Sequence, residues 1–404
     1  MTMLPDIFLG LSAFALAFFG LGAWAAIRHT RAKVALLPDE ALAPVSILKP
    51  LKGHEELLAE NLRTFFAQDY PRFEIVFATT SPDDPALEVA RAVAAEHPSV
   101  PVQFVLSNEG YGLNPKVSNL EGALRAARYE LVLQSDANVR AEPRYLRKIV
   151  SELVRDDAAL LSSLVVGTGE DSLGAAMENL QLSAMIVPSV SFALRFFGVP
   201  CVIGKSMLFR KADLEAVGGL ASVKDVLAED YLLGRAFQRI GKKVLLSATT
   251  AENVNVQAPV ERFFARHTRW LKMRAVIHPP AFVADFFANP VGLAALAVVA
   301  SAVVGLELRV VVAALSLMVS KVIADAYVIR RTRGSAMRWR HLVAAPLKDL
   351  LLLAILPYAA VSRSIEWRGA RLRMGWGTAL RPDEGPLPVR WSRRAWQGLR
   401  TSGR

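Results

Sequence analysis

Asp136 and Asn138 are the residues whose types and spacing first suggest chemistry. They lie in the segment ELVLQSDANVR (130–140), directly after an apolar run at 131–134 that suits a buried strand. An acidic residue just past the carboxyl end of a central strand lies where open α/β sheets bind ligands. A carboxylate with a second oxygen ligand two residues later can hold a hard divalent cation and, through it, a diphosphate. The alternative is a polar turn followed by a helix N-cap.

A second acidic pair, Glu229 and Asp230, begins a helix predicted at 229–240, which Gly241 ends. The helix dipole favours carboxylates in the first turn, and a side chain there can project into a site. Acidic residues are also common at this position simply as helix caps. The pair is therefore a candidate that needs support from the rest of the chain.

A helix predicted at 260–273 carries several arginines on one side. Arg262, Arg266 and Arg269 recur at three- and four-residue spacing, and Trp270 lies beside them. Guanidinium groups suit diphosphate oxygens, and an indole suits stacking on a sugar or a base. The alternative is a basic amphipathic helix that lies on a membrane surface.

These residues need a scaffold, and the chain from 43 to 246 predicts one of alternating strands and helices. The predicted strands are 45–50, 74–80, 102–107, 131–134 and 243–247, with helices at 55–68 and 117–128 and another that opens near Asp83 or Asp84. A further strand and a short helix are predicted within 205–219. This alternation indicates a parallel sheet with helices on both faces.

Two nucleotide-binding motifs are missing from this α/β pattern. No G-x-G-x-x-G follows the first strand, and no G-x-x-x-x-G-K-[ST] occurs anywhere in the sequence. These absences argue against a dinucleotide-dependent enzyme and against a P-loop ATPase. Carboxylates instead follow successive strands, which suits a nucleotide held by its base on one side and its diphosphate on the other.

The composition indicates a membrane protein. Hydrophobic residues make up 53% of the 404 residues, and the mean hydropathy is +0.30. The formal net charge is +11, and at this hydropathy a basic excess favours an anionic membrane face over nucleic acid as the partner. Cys201 is the only cysteine, which excludes an intrachain disulfide and makes a zinc site improbable.

The amino-terminal segment 4–27 is long enough to span a bilayer. Arg28, Arg31 and Lys33 follow it, so the positive-inside rule predicts a signal anchor with its amino end outside. A second apolar stretch within 178–199 is interrupted by a proline and an arginine. We expect it to form an interfacial helix pair against the bilayer, with a buried core helix as the alternative.

The carboxyl part contains another predicted membrane region. Segments 289–306 and 310–329 predict a transmembrane hairpin. Segment 342–361 carries prolines and charges and is predicted to be re-entrant or interfacial, which leaves three spans. The predicted organisation is a membrane anchor at 1–30, a cytoplasmic α/β domain at 43–280, a membrane region at 286–362 and a basic cytoplasmic tail at 363–404.

Taken in order, several motifs carry a family resemblance. LKPLKG, DDPA, LNPKVSNL, SDANVR, AEDYLLG and RHTRW, followed by IEWRGARLRMGWGTA near the end, cover roughly residues 44–379. This ordered set strongly resembles the ceramide glucosyltransferase family, glycosyltransferase family 21. The resemblance implies a GT-A (Rossmann-like) α/β catalytic domain with an amino-terminal transmembrane helix and carboxyl-terminal transmembrane or interfacial helices.

The family pattern consists of three aspartates and a Q/RxxRW motif. In this sequence they fall on Asp84, Asp136, Asp230 and the segment Arg266, His267, Thr268, Arg269, Trp270, while Lys116 matches a position near the nucleotide. The pattern departs from the DxD of many GT-A enzymes, because Asn138 replaces the second aspartate. This departure weakens a metal grip by two carboxylates and leaves the assignment of Asp136 intact.

The resemblance implies an inverting transfer of a hexose, with glucose favoured, from a UDP-sugar to the hydroxyl of a lipid, with ceramide favoured. It implies that Asp230 is the general base and that Mg²⁺ or Mn²⁺ at Asp136 stabilises the leaving diphosphate, helped by Arg269 and Arg266. Asp84 would hold the uridine, and Trp270 would lie at the acceptor end.

Other activities stay open at this stage. Diacylglycerol or a hopanoid could replace ceramide, and a processive polysaccharide synthase shares the aspartates and the RxxRW pattern. A membrane scaffold without catalytic activity is a further alternative. The composition, rich in alanine and arginine, suggests a bacterial inner membrane with the catalytic domain facing the cytoplasm, and no nucleic-acid partner is expected.

Overall fold

The computed structural model describes residues 3–367 and 370–383, and a mixed sheet of eight strands forms its centre. The strands are β1 (Val45–Pro50), β2 (Phe73–Thr79), β3 (Val102–Leu106), β4 (Leu131–Ser135), β5 (Val139–Arg140), β6 (Leu160–Thr168), β7 (Ser206–Arg210) and β8 (Val244–Val254). Their order across the sheet is β3-β2-β1-β4-β7-β6-β8-β5.

The helices of the amino-terminal and central parts are α1 (Leu4–Thr30), α2 (Leu58–Phe66), α3 (Pro85–Glu96), α4 (Pro115–Ala126), α5 (Tyr145–Arg155), α6 (Leu173–Gln181), α7 (Val187–Phe197), α8 (Lys211–Ala216) and α9 (Glu229–Arg239). Those that follow β8 are α10 (Val260–Ile277), α11 (Pro279–Phe287), α12 (Pro290–Val304), α13 (Leu308–Arg333), α14 (Trp339–Leu342) and α15 (Ala344–Val361).

The sheet is rich in parallel pairs but is not purely parallel. Strands β3, β2, β1 and β4 pair in parallel, as do β6 and β8, whereas β7 runs antiparallel to both β4 and β6. The reversal arises because the chain leaves β6, passes through α6 and α7, and re-enters the sheet from the same end. The prediction of a parallel sheet is therefore wrong for β7, and neither α5 nor β6 is among the predicted elements.

Both faces of the sheet are buried, because alternate side chains of each strand enter two different cores. Ile47 and Leu133 pack into one core with Tyr145 of α5. Leu48 and Val132 pack into the other core, which receives apolar residues of α4 and α9. The predicted covering of the sheet by helices on both faces is confirmed, and the double covering holds the strand ends rigidly.

Register brings the carboxyl end of β4 next to the start of β7. Ser135 pairs with Ser206 across the antiparallel β4–β7 ladder. Asp136 follows Ser135 and Lys205 precedes Ser206, so these two residues lie side by side. The backbone N–H of Asp136 donates to the carbonyl of Lys205 at 3.0 Å. The strand predicted before Asp136 is therefore real, and its end lies beside a lysine from a distant part of the chain.

Within the described part of the chain, four helices are long and apolar enough to cross a membrane: Leu4–Thr30, Leu173–Phe197, Leu308–Arg333 and Trp339–Val361. Helices α11 and α12 meet at a bend of 59°, and this pair is a fifth candidate if it forms one broken span. The sequence predicts three spans, so the structure offers more. In particular, α12 has only 15 residues, which is short for the first arm of the predicted hairpin.

Helices α6 and α7 form one continuous rod through a π-helical stretch, Leu182–Ile186. The rod packs against α1, where the ring centroids of Phe192 and Phe18 lie 4.5 Å apart. The sequence predicts two interfacial helices at this position. The rod has the length and apolarity of a span, and its orientation toward the bilayer stays a prediction.

The beginning of the predicted tail at 363–404 is folded. A small antiparallel sheet comprises β9 (Ser364–Trp367), β10 (Ala370–Met374) and β11 (Leu380–Pro382). The backbone N–H of Leu227 donates to the carbonyl of Thr378 at 3.0 Å, which attaches this sheet to the segment before α9. Residues 384–404 of the predicted tail lie outside the described residues.

Candidate active site

A cavity of about 700 Å³ lies at the carboxyl ends of β1 and β4, and α10 supplies another wall. Its lining includes these predicted site residues: Lys116, Asp136, Asn138, Asp230, Arg266, Arg269 and Trp270. The cavity has the volume typical of small-molecule sites. The structure therefore brings together every predicted site residue except Asp84.

Lys116 joins two acidic positions of the cavity. Its Nζ lies 3.1 Å from Oδ1 of Asp136 and 3.2 Å from Oε1 of Glu229, and it donates to the carbonyl of Gly204 at 2.7 Å. Burial alone lowers the pKa of Lys116, but the carboxylates of Asp136, Glu229 and Asp230 outweigh it and raise the pKa. Lys116 therefore stays a cation in the cavity.

Helix α4 holds Lys116 in place because a proline and an asparagine cap fix its first turn. Pro115 occupies the first helical position, where its missing N–H costs no hydrogen bond. Asn114 caps the helix by accepting from the backbone N–H groups of Lys116 and Val117 at 3.0 and 3.2 Å. The LNPK sequence thus holds the lysine in a defined position.

Asp230 lies at the first turn of α9 with both carboxylate oxygens oriented by backbone donors. Oδ2 accepts from the N–H of Gly204 at 2.6 Å, and Oδ1 accepts from its neighbour Tyr231 at 2.7 Å. A Cβ built on Gly204 would lie 2.8 Å from Oδ2 of Asp230. Only glycine at position 204 therefore permits this close approach of backbone and carboxylate.

Glu229 has a different environment from Asp230. It is buried, pairs with Lys116, and accepts from the side-chain amide of Asn114 at 3.3 Å. Burial raises the pKa of Glu229 although Lys116 opposes the shift. Because Glu229 is buried and bound to two side chains, it is less available to a substrate than Asp230, which is partly exposed.

Lys205 lies between the two predicted metal ligands. Its Nζ is 3.5 Å from Oδ2 of Asp136 and 3.2 Å from Oδ1 of Asn138. Oδ2 of Asp136 and Oδ1 of Asn138 thus both face the ammonium group of Lys205. Burial lowers the pKa of Lys205, and the charge of Asp136 opposes that shift.

The residues at this point fit a divalent cation only as a partial set. In residues 3–367 and 370–383, no group of three or more His, Cys, Asp and Glu is arranged to hold a metal ion. Asp136 and Asn138 supply two oxygens, and a six-coordinate Mg²⁺ takes its other ligands from phosphates and water. A metal here therefore requires Lys205 to give way and a phosphorylated ligand to complete the site.

Arg266 is held in the cavity by a buried acid that the sequence reasoning did not identify. Its Nη1 lies 2.7 Å from Oε1 of Glu178, and Nε2 of His267 lies 3.1 Å from the other oxygen of the same carboxylate. Glu178 belongs to α6, so this acid joins the rod α6–α7 to α10. An acidic residue beside an otherwise apolar stretch is the sequence signal that could have revealed it.

Aromatic rings lie beside Arg266, one turn further along α10. The ring of Trp270 meets His267 edge to face at 5.0 Å. The guanidinium carbon of Arg269 lies 5.8 Å from the centroid of Trp367, a residue of β9 that also lines the cavity. The carboxyl-terminal sheet therefore contributes Trp367 to the site, a residue without a predicted role.

Asp84 lies beside the cavity without lining it. Its carboxylate caps α3 by accepting from the N–H of Ala86 at 3.0 Å and also accepts from the N–H of Gly53 at 2.9 Å. Gly53 lines the cavity and has a positive φ of 64°, which favours glycine. Asp84 therefore shapes the loop after β1, and its contact with a uridine stays a prediction.

The chain is similar in sequence to known proteins. The model of a family described as glycosyl transferase family 21 matches residues 11–380. Ceramide glucosyltransferase 1 of Caenorhabditis elegans is 31% identical over 249 residues, which cover 61% of this chain and 53% of that protein. Ceramide glucosyltransferase of Komagataella phaffii is 29% identical over 192 residues, covering 42% of this chain and 38% of that protein. The chain thus spans about half the length of the curated relatives it matches first.

The fold is also similar to a solved structure. The mannosyltransferase PcManGT of Pyrobaculum calidifontis, solved in complex with GDP-Man and Mn²⁺, aligns with a TM-score of 0.54 and 22% sequence identity. The alignment covers 86% of this chain and 99% of that chain. The likeness concerns the fold, and it agrees with the GT-A arrangement of the central sheet.

Proposed function

Because the chain belongs to glycosyltransferase family 21, we propose that it transfers a hexose from a UDP-sugar to the hydroxyl of a lipid. Glucose is the leading sugar, and ceramide is the leading acceptor, since the matched relatives are ceramide glucosyltransferases. The observation that supports this best is one cavity that Asp230 shares with Lys116, Asp136 and Arg266. A base and a set of cations are what glycosyl transfer to an alcohol requires.

The proposed reaction is a single in-line displacement. The oxygen of the lipid hydroxyl forms a bond to the anomeric carbon while the bond from that carbon to the diphosphate oxygen breaks, which inverts the configuration. Asp230 takes the proton of the hydroxyl as general base. This role suits Asp230 better than Glu229, because Asp230 is partly exposed and lines the cavity, whereas Glu229 is buried and paired with the cation of Lys116.

The departing UDP carries negative charge, which the cavity is equipped to stabilise. Lys116, Arg266 and Arg269 supply fixed positive charge there, in a partly enclosed site where such charge acts strongly. Asp136 and Asn138 would hold Mg²⁺ or Mn²⁺ together with the diphosphate. When bound, the metal supplies Lewis-acid stabilisation of the phosphate oxygens.

Two further predicted roles fit the positions of their residues. Asp84 would support the uridine end of the donor through the loop that contains Gly53. Trp270 would lie at the acceptor end, because it lines this cavity and also a smaller cavity beside it.

The membrane arrangement follows from the same proposal. Arg28 lies in the last turn of α1, and Arg31 and Lys33 follow the helix, which favours a cytoplasmic location for the α/β domain, where UDP-sugars are made. The acceptor would enter sideways from the cytoplasmic leaflet, and a bacterial inner membrane is the proposed location.

The test uses the full chain in detergent or nanodiscs with a panel of UDP-sugars and with ceramide, diacylglycerol and hopanoid acceptors. Mass spectrometry identifies the product, and NMR defines its anomeric configuration. We expect a β-glucoside of ceramide from UDP-glucose, and a rate roughly 10²–10⁴-fold lower for Asp230→Asn.

The matched control is Asp157→Asn, an exposed carboxylate with a positive φ of 46° that asparagine tolerates. This control should retain full activity. Full transfer by Asp230→Asn would contradict the assignment of the base, and long polymer made from the UDP-sugar would favour a processive polysaccharide synthase.

A further inference from the structure

A second cavity, of about 180 Å³, adjoins the first cavity along α10. The two cavities share Ile186, Trp270 and Met273 in their linings. The second cavity is smaller than the roughly 300–1,000 Å³ of a complete small-molecule site. It can therefore accept part of a substrate whose reacting group lies in the larger cavity.

The walls of the second cavity come largely from helices of spanning length. Ser189 and Val190 belong to the rod α6–α7, Lys321 belongs to α13, and Leu352 belongs to α15. If those helices cross a membrane, a ligand that reaches this cavity from between them is a lipid. A polar group of that ligand would meet the charged side chains that line the cavity beside the apolar ones.

Asp349 of α15 is the polar residue of this lining that has an unused hydrogen-bonding atom. Its Oδ1 accepts from Lys348, whose Nζ also donates to Oε1 of Gln181 at 3.0 Å. Its Oδ2 lies 3.9 Å from Nζ of Lys321, and among the described residues it has no hydrogen-bond partner. Asp349 is 7% exposed, so this oxygen is a buried acceptor beside a cavity.

The neighbouring lysine does not satisfy that oxygen. Nζ of Lys321 donates to Oδ1 of Asp325 at 2.5 Å, and at 3.9 Å it is too far from Oδ2 of Asp349 for a hydrogen bond. A buried acceptor without a donor is costly, so native structures rarely contain one without a reason. A donor supplied by the bound ligand is such a reason.

We propose that the second cavity holds the polar head of the lipid acceptor, and that Asp349 selects acceptors carrying a second hydrogen-bond donor besides the reacting hydroxyl. This inference rests on the proposed function. A ceramide-like head offers an amide N–H and a second hydroxyl, either of which can donate to Oδ2. The head of diacylglycerol offers one hydroxyl and two ester groups, which only accept.

Discrimination then follows from the unpaired oxygen. An acceptor lipid without the second donor leaves Oδ2 of Asp349 unsatisfied and brings an ester oxygen toward a carboxylate. Sites built to hydrogen-bond a substrate group reject analogues that lack it much more strongly than they reject a change of size. Asp349 is thus a specificity-determining residue, distinct from the base and from the donor-binding cations.

The experiment compares acceptors on the full chain in nanodiscs with UDP-glucose as donor. The panel contains ceramide, N-methylceramide, 3-O-methylceramide and diacylglycerol, all of which keep a primary hydroxyl. For the wild type we expect kcat/KM to fall on the order of 10- to 100-fold for diacylglycerol and for whichever ceramide analogue lacks the donor that binds Asp349.

Asp349→Asn provides the sharper test. If its amide oxygen keeps the bond from Lys348, the amide N–H₂ replaces Oδ2 and donates where the carboxylate accepted. We expect the preference for ceramide over diacylglycerol to shrink to less than about threefold or to reverse, with the KM for UDP-glucose unchanged. An unchanged preference in a folded variant would overturn the proposal.

A second variant tests the cavity without altering its charges. Ser189→Phe adds a ring to the lining, and we expect it to abolish transfer to every lipid while UDP-glucose binding, measured by calorimetry, is retained. Val312→Phe, at an exposed position of α13, is the matched control and should stay active. Normal transfer by Ser189→Phe would overturn the proposal even if Asp349→Asn does not fold.

These outcomes distinguish a failure of the role proposed for Asp349 from a failure of the proposed function. If the wild type glucosylates ceramide but accepts all four lipids equally, the role of Asp349 is wrong and the proposed function stands. If the wild type transfers sugar to none of the lipids, the proposed function fails and this inference fails with it.

Discussion

The Nζ of Lys116 lies 3.1 Å from Oδ1 of Asp136 and 3.2 Å from Oε1 of Glu229. One ammonium therefore links the carboxylate at the end of β4 to the acidic pair at the start of α9. Glu229 is in turn the neighbour of Asp230, the proposed base. The position of the base thus depends on a lysine that belongs to a third element, α4.

Lys116→Met should remove both transfer activity and stability. The substitution retains most of the side-chain volume, but it takes the cation away from the buried Glu229 and removes one of the cations beside Asp136. Breaking a buried pair from one side costs roughly 3–5 kcal/mol of unfolding free energy. Thermal unfolding in detergent and the rate of glucosyl transfer measure the two effects.

Lys243→Met is the control for that experiment. Lys243 pairs with Asp156 at 2.7 Å on the exposed surface, where an ion pair contributes about 0–1 kcal/mol. We expect this variant to melt close to the wild type and to keep its activity. Equal destabilisation by both substitutions would contradict a special role for the Lys116 network.

Glu229 should make stability fall as the pH rises. Burial raises the pKa of Glu229 above its ordinary value of 4.5, although Lys116 opposes the shift, so the folded protein binds this proton more tightly than the unfolded chain. The resulting stabilisation is complete at a pH below the pKa of Glu229 in the unfolded chain. It is lost as the pH rises through the higher pKa of Glu229 in the folded protein. The measurement is the unfolding free energy of the wild type and of Glu229→Gln from about pH 4.5 upward. We expect the wild type to lose stability relative to the variant as the pH rises.

Glu96 offers a comparison of opposite sign. A hydrogen bond from Arg63 lowers the pKa of this fully exposed carboxyl, so its contribution is present above the unfolded value and is lost as the pH falls. The difference in unfolding free energy between the wild type and Glu96→Gln should therefore change with pH in the opposite direction. The change should be small, because solvent screens the pair. The same sign for both variants would show that the pH effect does not come from Glu229.

Glu178→Gln should weaken donor binding by releasing Arg266. The carboxylate of Glu178 holds Arg266 at 2.7 Å and His267 at 3.1 Å, and glutamine leaves a buried guanidinium without its counter-charge. We expect a higher KM for UDP-glucose and a loss of stability of roughly 3–5 kcal/mol. Glu142→Gln, which loses only a surface pair with Lys148, should change neither the KM nor the melting temperature.

Local patterns were sufficient to predict much of the scaffold and the family. The bounds of β1 are those predicted, β4 ends one residue later than predicted, and α9 begins at Glu229 as expected. These elements have strong apolar periodicity and clear breakers such as Gly241, which act within a few residues. The resemblance to glycosyltransferase family 21 is confirmed, because ordered motifs survive where overall identity is low.

Residues whose role depends on long-range pairing could not be predicted in this way. Lys205 meets Asp136 and Asn138 only because β7 pairs antiparallel with β4 in a particular register. Lys49 reaches Ser135 at 2.9 Å through the parallel β1–β4 pair, and Trp367 arrives from the far end of the chain. No spacing within the sequence encodes these contacts, so they require the folded sheet.

Lys205→Met should strengthen the binding of a divalent cation. The ammonium of Lys205 lies 3.2 Å from Oδ1 of Asn138 and 3.5 Å from Oδ2 of Asp136, so it competes with a metal for the same two oxygens. Like charges about 4 Å apart repel by at least about 1 kcal/mol per pair of unit charges even in water. We expect the Kd for Mn²⁺, measured by electron paramagnetic resonance with UDP present to complete the site, to fall roughly tenfold, an effect of about 1.4 kcal/mol. Lys52→Met removes a lysine elsewhere in the lining of the same cavity and should change the Kd much less. Unchanged or weaker Mn²⁺ binding in Lys205→Met would exclude this pair of oxygens as the metal site. It would show that the ammonium of Lys205 does not compete with Mn²⁺.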